Sequence, residues 1–162
     1  MIDGSKNASI RAIKGMFIIE SLSGYRMMFS DPDSFHCFLP LDVDARLLGE
    51  EIRRALESSR TMTIEEAQEY RISDARWSQW VSTMLAHTKI SNEQKLFQKM
   101  ALCNVREHDG LIVFSPNIKR RGSAWEGRGE AHKLSLTSSS DSLTLGQFAI
   151  EAIKKCVPAV LA

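Results

Sequence analysis

The chain has no long hydrophobic run. Its purest apolar stretches are Met16-Phe17-Ile18-Ile19 and Leu111-Ile112-Val113-Phe114. A bilayer-spanning helix needs about 20 such residues, so no membrane span is expected. The opening residues MIDGSKNASI lack the basic-then-apolar order of a cleaved leader, and export by that route is not expected. Cysteine is scarce. Cys37, Cys103 and Cys156 are odd in number and far apart, unlike the even sets of small secreted domains. This points to a cytoplasmic protein whose thiols are free and buried beside Phe35, Phe38, Leu102 and Ile153. No CxxC, CxH or HxxxH spacing occurs, so no metal site is expected.

Charge of one sign is lacking as well. The 21 Lys and Arg stand against 20 Asp and Glu, a balance that gives no bulk attraction to nucleic acid or membrane. Catalytic signatures are missing: there is no G-x-S-x-G elbow and no H-E-x-x-H. The segment Gly122-Ser-Ala-Trp-Glu-Gly-Arg-Gly129 imitates the spacing of a P-loop. However, it has Arg128 in place of lysine and Gly129 in place of the Mg²⁺-binding hydroxyl. No helix is expected to follow it, so the helix N-terminus that would hold phosphate is missing. No nucleotide or other cofactor is expected.

What is present is an ordinary globular composition, 43% hydrophobic and 25% charged over 162 residues. That is one domain's worth of chain, here read as a single domain over residues 1–162. Acids are unevenly placed. Asp31 to Asp74 holds 11 acids and 5 bases, a net −6, and the remainder carries +7. This fits either an acidic and a basic face or two mixed surfaces folded together.

Residues 9–22 read as a strand or a bent pair of strands ending at Ser23-Gly24, with Tyr25–Phe29 as a returning strand. Asp31-Pro32-Asp33 marks a turn, and Ser34–Leu39 is a further strand. Val43, Leu47, Leu48, Ile52, Ala55 and Leu56 make one stripe of a helix over Asp42–Ser59, capped by Asp42 or Asp44. Gly49 inside that helix costs about 1 kcal/mol against alanine, which suggests a close backbone contact. Thr63-x-x-Glu66 is a capping box opening a short helix through Tyr70. Ser73 caps a third helix bearing Trp77, Trp80, Val81, Met84 and Leu85. Residues 91–100 fit no single pattern. Asp109-Gly110 between Ala101–Glu107 and Leu111–Ser115 is a type I′ hairpin signal, and Leu111–Phe114 is expected to be central. Pro116–Glu130 reads as a long loop, His132–Thr137 as a strand, and Thr144–Cys156 as the last helix. The expected class is α+β, a largely antiparallel sheet with helices packed against it.

The residues alone leave several chemistries open. Lys119-Arg120-Arg121 can contact phosphates or be a solvated loop. A Cys–His nucleophile pair can assemble in space from distant positions. Asp31 and Asp33 flank a proline and serve as turn caps or as recognition charges. A small hydrolase and a nucleic-acid-binding module thus stand beside a protein-binding module, the reading the missing motifs favour.

Four segments carry a family resemblance: DPDSFHCFLPLDVDARLLGEEIRRALESSR (31–60), FQKMALCNVREHDGLIVFSP (97–116), SAWEGRG (123–129) and LTLGQFAIEAIKKC (143–156). Their order and spacing resemble the immunity proteins of bacterial contact-dependent growth inhibition systems, the CdiI family. The matching positions are Leu39-Pro40-Leu41-Asp42, Leu48-Gly49, Ile52, Ala55-Leu56 and Ser59-Arg60. The hairpin matches at Met100, Cys103-Asn104 and Asp109-Gly110, and the loop at Trp125, Gly127 and Gly129. The resemblance implies a non-enzymatic cytosolic antidote that binds the C-terminal toxin domain of its own system's large surface protein (CdiA), in a 1:1 complex. It implies a nuclease, frequently a ribonuclease, as the toxin, and a covered substrate cleft as the means of inhibition. Neither membrane nor direct nucleic-acid binding is implied. A nuclease cleft is positive, so acidic residues can speed and select association. The expected partner-binding residues are Asp31, Asp33, Glu50 and Glu51 on the acidic stretch, with Trp125 and Arg128 as anchors. The near-zero net charge also leaves room for Arg and Lys contacts away from the cleft.

Overall fold

Alternation along the first strand sets the architecture. In β1 (Lys6–Ile13), Ala8, Ile10 and Ala12 enter one apolar core while Ile13 enters another, because successive strand side chains point to opposite faces. The structure, a computed structural model, describes residues 4–70, 74–122 and 124–161. In them β1 is followed by β2 (Met16–Tyr25), β3 (Met27–Ser30), β4 (His36–Pro40), α1 (Ala45–Glu57), α2 (Ile64–Tyr70), α3 (Asp74–Thr88) and α4 (Glu93–Gln98). Next come β5 (Ala101–His108), β6 (Leu111–Lys119), β7 (Trp125–Gly127), β8 (Leu134–Thr137) and α5 (Ser142–Lys154).

The strands form an eight-stranded antiparallel sheet in the order β3-β2-β1-β5-β6-β7, with β4 also on β2 and β8 also on β6. Both outer ladders are thus split. β4 pairs with β2 over Met16–Glu20 and β3 over Leu22–Tyr25. β8 pairs with β6 over Leu111–Phe114 and β7 over Asn117–Lys119. The expected α+β class is the observed one, and Leu111–Phe114 is central, flanked by β5 and β8.

One face of the sheet carries α1 and α5, whose Leu48, Ile52, Leu145 and Ala149 close over Ile10, Phe17, Ile112 and Phe114. Full burial of each such large side chain contributes about 1.5–3 kcal/mol. The opposite face is covered in part by α3 and α4 through Trp80, Val81, Met84, Leu96 and Phe97 over Ile13 and Ile18. Beside them lies a polar seam in which buried Glu20 accepts from Ser9 Oγ at 2.8 Å and Arg11 Nε at 3.0 Å.

Several elements differ from expectation in instructive ways. The bent pair over 9–22 is two strands joined at Lys14-Gly15, both with positive φ. β2 runs on through Ser23-Gly24 and turns at Arg26 instead. Residues 116–130 are not one loop. β6 continues to Lys119 because Pro116 stands where the ladder passes from β5 to β7, and Arg128 N donates to the Pro116 carbonyl. The 91–100 region holds α4, capped by Asn92. α5 opens at Ser142, two residues early, on its cap Asp141. Of the two candidate caps of α1, Asp44 is the one used, as expected for one of the pair. The Ser73 cap lies outside the described residues.

Gly49 has the close contact its helix cost implied. A Cβ there would lie 1.8 Å from the Ser142 carbonyl oxygen, and one on Gly146 would lie 1.7 Å from that of Ala45. Both obstacles are backbone of the facing helix, so α1 and α5 must separate to admit a methyl group. Gly49→Ala is therefore expected to destabilise the protein by about 3 kcal/mol despite alanine's better helix propensity. Urea unfolding monitored by circular dichroism reads this, and an unchanged midpoint would rule out the tight crossing.

Candidate partner-binding surface

The Asp31-Pro32-Asp33 turn links β3 to β4 where β2 passes from one edge partner to the other. Asp31 is completely buried. Its Oδ2 accepts from Ser23 Oγ at 2.5 Å and Arg60 Nε at 3.0 Å, and its Oδ1 accepts from the Tyr70 hydroxyl. Burial alone would raise the carboxyl. The hydrogen bonds from Arg60, Ser23 and Tyr70, with the guanidinium charge, outweigh it and hold Asp31 below the usual carboxylate range. The same arrangement pushes Tyr70 up to about 12, through burial first and then its bond to the carboxylate. Its ring lies between Arg60 and Arg76, with their guanidinium carbons 4.9 Å and 4.6 Å from the centroid. This clamp fastens α2, which has no buried residue of its own.

The other acids of this region divide between inside and outside. Asp33 is exposed at the tip of the turn and Glu50 is exposed on α1. Glu51 turns towards β4: its side chain is 14% exposed, and Arg54 Nη1 lies 3.5 Å from Oε1. Burial and then the Glu51 charge push the Cys37 thiol up to about 12. Glu57, Glu65 and Glu69 are exposed. Glu66 is engaged in its capping box, accepting from Thr63 N at 2.9 Å. Asp33 thus lies in the turn before β4 and Glu51 beside Cys37 of β4, while Glu50 is exposed on α1 and Asp31 is buried under the turn.

Trp125 and Arg128 belong to the opposite edge, on β7 and just after it. The Trp125 ring packs edge-on to Phe97 at 5.5 Å and carries Arg11 and Lys119 over its faces. Arg128 Nη1 donates to the Lys155 carbonyl at 2.7 Å, at the C-terminus of α5. Lys119-Arg120-Arg121 closes its own loop: Lys119 Nζ donates to the carbonyls of Arg120 and Gly122, and Arg120 pairs with Glu126 at 2.8 Å.

Sequence reasoning missed a cavity of about 180 Å³ beside Asp33, lined among others by His36, Tyr70, Arg76, Trp77 and Trp80. The helical stripe placed both tryptophans on an apolar face but carried no sign that α3 would meet the β3–β4 turn. Among the described residues, no cluster of His, Cys, Asp or Glu is arranged to hold a metal. No helix among them is long and apolar enough to cross a membrane.

The Asp31 clamp makes stability depend on acid. A carboxyl held below its unfolded value of about 3.9 stabilises the fold above that pH and loses the contribution as pH falls through the folded value. Wild-type stability should therefore decline below about pH 4. Asp31→Asn should be less stable by about 2–3 kcal/mol at pH 7, with a flatter acid limb. Denaturant unfolding between neutral and acid pH measures both. Parallel acid limbs in the two proteins would remove Asp31 as the source.

Comparison with known proteins bears on the family and the fold. The family model described as "CdiI: CDI immunity protein" matches residues 6–156. The immunity protein CdiI-YPIII of Yersinia pseudotuberculosis serotype O:3 (strain YPIII) is 24% identical over 137 residues, 75% of this chain and 77% of that protein. A solved protein of unknown function from Neisseria meningitidis superposes with a TM-score of 0.89 at 24% identity, covering 96% of this chain and 98% of the other. A CdiA-CT/CdiI toxin and immunity complex from Yersinia pseudotuberculosis gives 0.86 at 22% identity, covering 96% and 99%. With nearly the whole folded body matched by the family model, the chain belongs to the CdiI family of CDI immunity proteins.

Proposed function

We propose that this protein binds the C-terminal toxin domain of its own CDI system in the cytoplasm and neutralises it 1:1, without turnover. The whole chain acts as one immunity domain and needs no cofactor, membrane or nucleic acid. The toxin is a nuclease, and inhibition comes from covering or crowding its substrate cleft. Family membership supports the partner class. So does the similarly folded immunity protein from Yersinia pseudotuberculosis, whose solved structure is a complex with a CdiA-CT toxin. The observation that supports the choice of surface is the exposure of Asp33 in the turn before β4 and of Glu50 and Glu57 on α1. A phosphate-binding cleft is positive, and opposed potentials raise the association rate and penalise mismatched partners.

Within this reading the six residues have unequal parts. Asp33 and Glu50 meet the partner directly. Glu51 contributes charge from a half-buried position, and Asp31 acts from below by fixing the turn that presents Asp33. Trp125 and Arg128 add contact through their outer surfaces for a toxin broad enough to reach the opposite edge.

Charge reversal at the two exposed positions, Asp33→Lys with Glu50→Lys, tests the surface while sparing the buried clamp. Association with the toxin domain encoded beside this gene should slow by about tenfold at low salt, with a weaker dependence on ionic strength. Stopped-flow or surface plasmon resonance reads the rate, and an unaltered salt-dependent rate would exclude this face. Nuclease titration should end at one immunity protein per toxin. Binding that leaves cleavage intact would eliminate cleft blocking.

A further inference from the structure

The β3–β4 turn and α3 do not close fully on each other. Between them lies the cavity of about 180 Å³ beside Asp33. Its walls are held by contacts of their own. Trp77 stacks on Phe97 with ring centroids 5.9 Å apart, and Trp80 is 3% exposed with its ring edge-on to His36 at 5.0 Å. Tyr70 is fixed by the bond from its hydroxyl to Asp31 and by the Arg60 and Arg76 guanidiniums over its ring. A guest therefore meets preformed walls and spends no binding energy on ordering them.

Size and chemistry narrow the guest. A cavity of about 150 Å³ holds benzene, so this one has room for a six-membered ring with a substituent. An indole, with nine ring atoms against six, needs about 220 Å³ by the same proportion. Aromatic walls favour a ring over an aliphatic chain. The charged groups at the border oppose each other: Asp33 brings a carboxylate and Arg76 a guanidinium, so neither a cation nor an anion is selected. Both kinds of hydrogen-bonding group are offered. His36 Nδ1 donates to the Pro32 carbonyl at 2.7 Å, which leaves Nε2 of the neutral ring as an acceptor in addition to the Asp33 oxygens, whereas Arg76 only donates. A phenol answers all of these demands, because its hydroxyl both donates and accepts. Phenylalanine has no polar side-chain atom, and tryptophan only donates.

We propose that this cavity is the anchor pocket for a tyrosine side chain of the toxin domain. The inference rests on the function proposed above and adds to it the kind of residue that the partner inserts. Asp33 joins the two: it belongs to the proposed recognition surface and also borders the cavity. Charge that guides the encounter thus leads to the pocket that holds it. Tyrosine is among the residues that dominate interface energetics, and such anchors fill well-packed, desolvated pockets surrounded by near-neutral contacts.

Nuclear magnetic resonance of the full chain with p-cresol, the tyrosine side chain as a free molecule, tests the pocket. The indole N–H signals of Trp77 and Trp80 should move saturably with a dissociation constant of about 1 mM, while that of Trp125, on the opposite edge, should stay. Toluene, which lacks the hydroxyl, should bind about fivefold more weakly. Unmoved Trp77 and Trp80 signals, equal or tighter binding of toluene, or tighter binding of methylguanidinium overturns the phenol site. The second arm uses the toxin domain encoded beside this gene. In the complex p-cresol should no longer move the two signals. With each toxin tyrosine replaced in turn, one alanine variant should bind about 30-fold more weakly or worse and its phenylalanine counterpart about fivefold; Thr83→Trp, which fills the cavity from α3, should match the alanine loss. No sensitive tyrosine overturns the assignment of the guest. A complex that forms and neutralises while p-cresol still binds overturns the pocket and leaves the proposed function standing. A toxin domain that does not bind removes the proposed function, and the tyrosine assignment with it, even where p-cresol binds.

Discussion

The contact on which most of this structure rests is the crossing of α1 and α5 at Gly49 and Gly146. There, backbone of one helix touches backbone of the other, with no room for a Cβ on either side. Because the helices approach so closely, both lie on one face of the sheet and seal it along its length. Leu48 and Ile52 from one helix and Leu145 and Ala149 from the other share a single cluster with Ile10, Phe17 and Phe114. The same crossing fixes the rotation of α1. With Gly49 facing α5, Glu51 turns towards β4 and Glu50 towards solvent. It also delivers the end of α5 to β5 and to Arg128. The orientation of Glu50 and Glu51 and the contacts at the end of α5 thus depend on two residues that have no side chain.

A second constraint is the buried Asp31 carboxylate. Four segments distant in sequence meet on it: Ser23 from β2, the turn itself, Arg60 after α1 and Tyr70 at the end of α2. A buried charge with several donors costs desolvation but becomes specific, since losing any donor leaves the rest badly paired. Arg60 is itself half exposed, so solvent screens much of its Coulomb attraction, and the neutral donors matter accordingly. The clamp explains how α2, with no core of its own, keeps a defined place.

These two features show what the sequence made legible. Asp109-Gly110 was readable because a short polar residue before glycine suits two successive positive φ values. Lys14-Gly15 makes the same kind of turn without the signal, since lysine enters that region only when flanking strands compel it. The stripe of α1 was readable because Leu48, Ile52, Ala55 and Leu56 are buried at helical spacing, although Leu47, read into the same stripe, is exposed and Val43 precedes the helix. Pro116 misled because a proline reads as a break unless one knows that its strand is changing partners there. The net −6 of residues 31–74 was counted correctly but overstates the surface field. Asp31 is internal, and Asp44 and Glu66 are engaged as helix caps. Charge counting cannot separate a carboxylate that caps a helix from one that faces solvent. Nor does any local pattern say that Trp77, Trp80 and Arg76 from α3 border the turn carrying Asp33.

The distribution of these residues bears on how one fold can serve different partners. The positions that define the fold here are glycines at a crossing, a hairpin turn, a buried carboxylate with its donors and alternating apolar residues. All are inside or in tight turns. Asp33 and Glu50 are exposed, so changing their charge alters the field a partner meets while leaving the cores untouched. Long-range attraction acts mainly on the encounter rate and falls with salt, whereas a buried network acts on stability and is little screened. Under the proposed function, recognition through the first set can therefore diverge without cost to the second. Asp31 is where the two meet: it is a framework residue by burial, yet it sets the position of a surface charge two residues away. A change there moves stability and presentation together, whereas a change at Asp33 moves presentation alone.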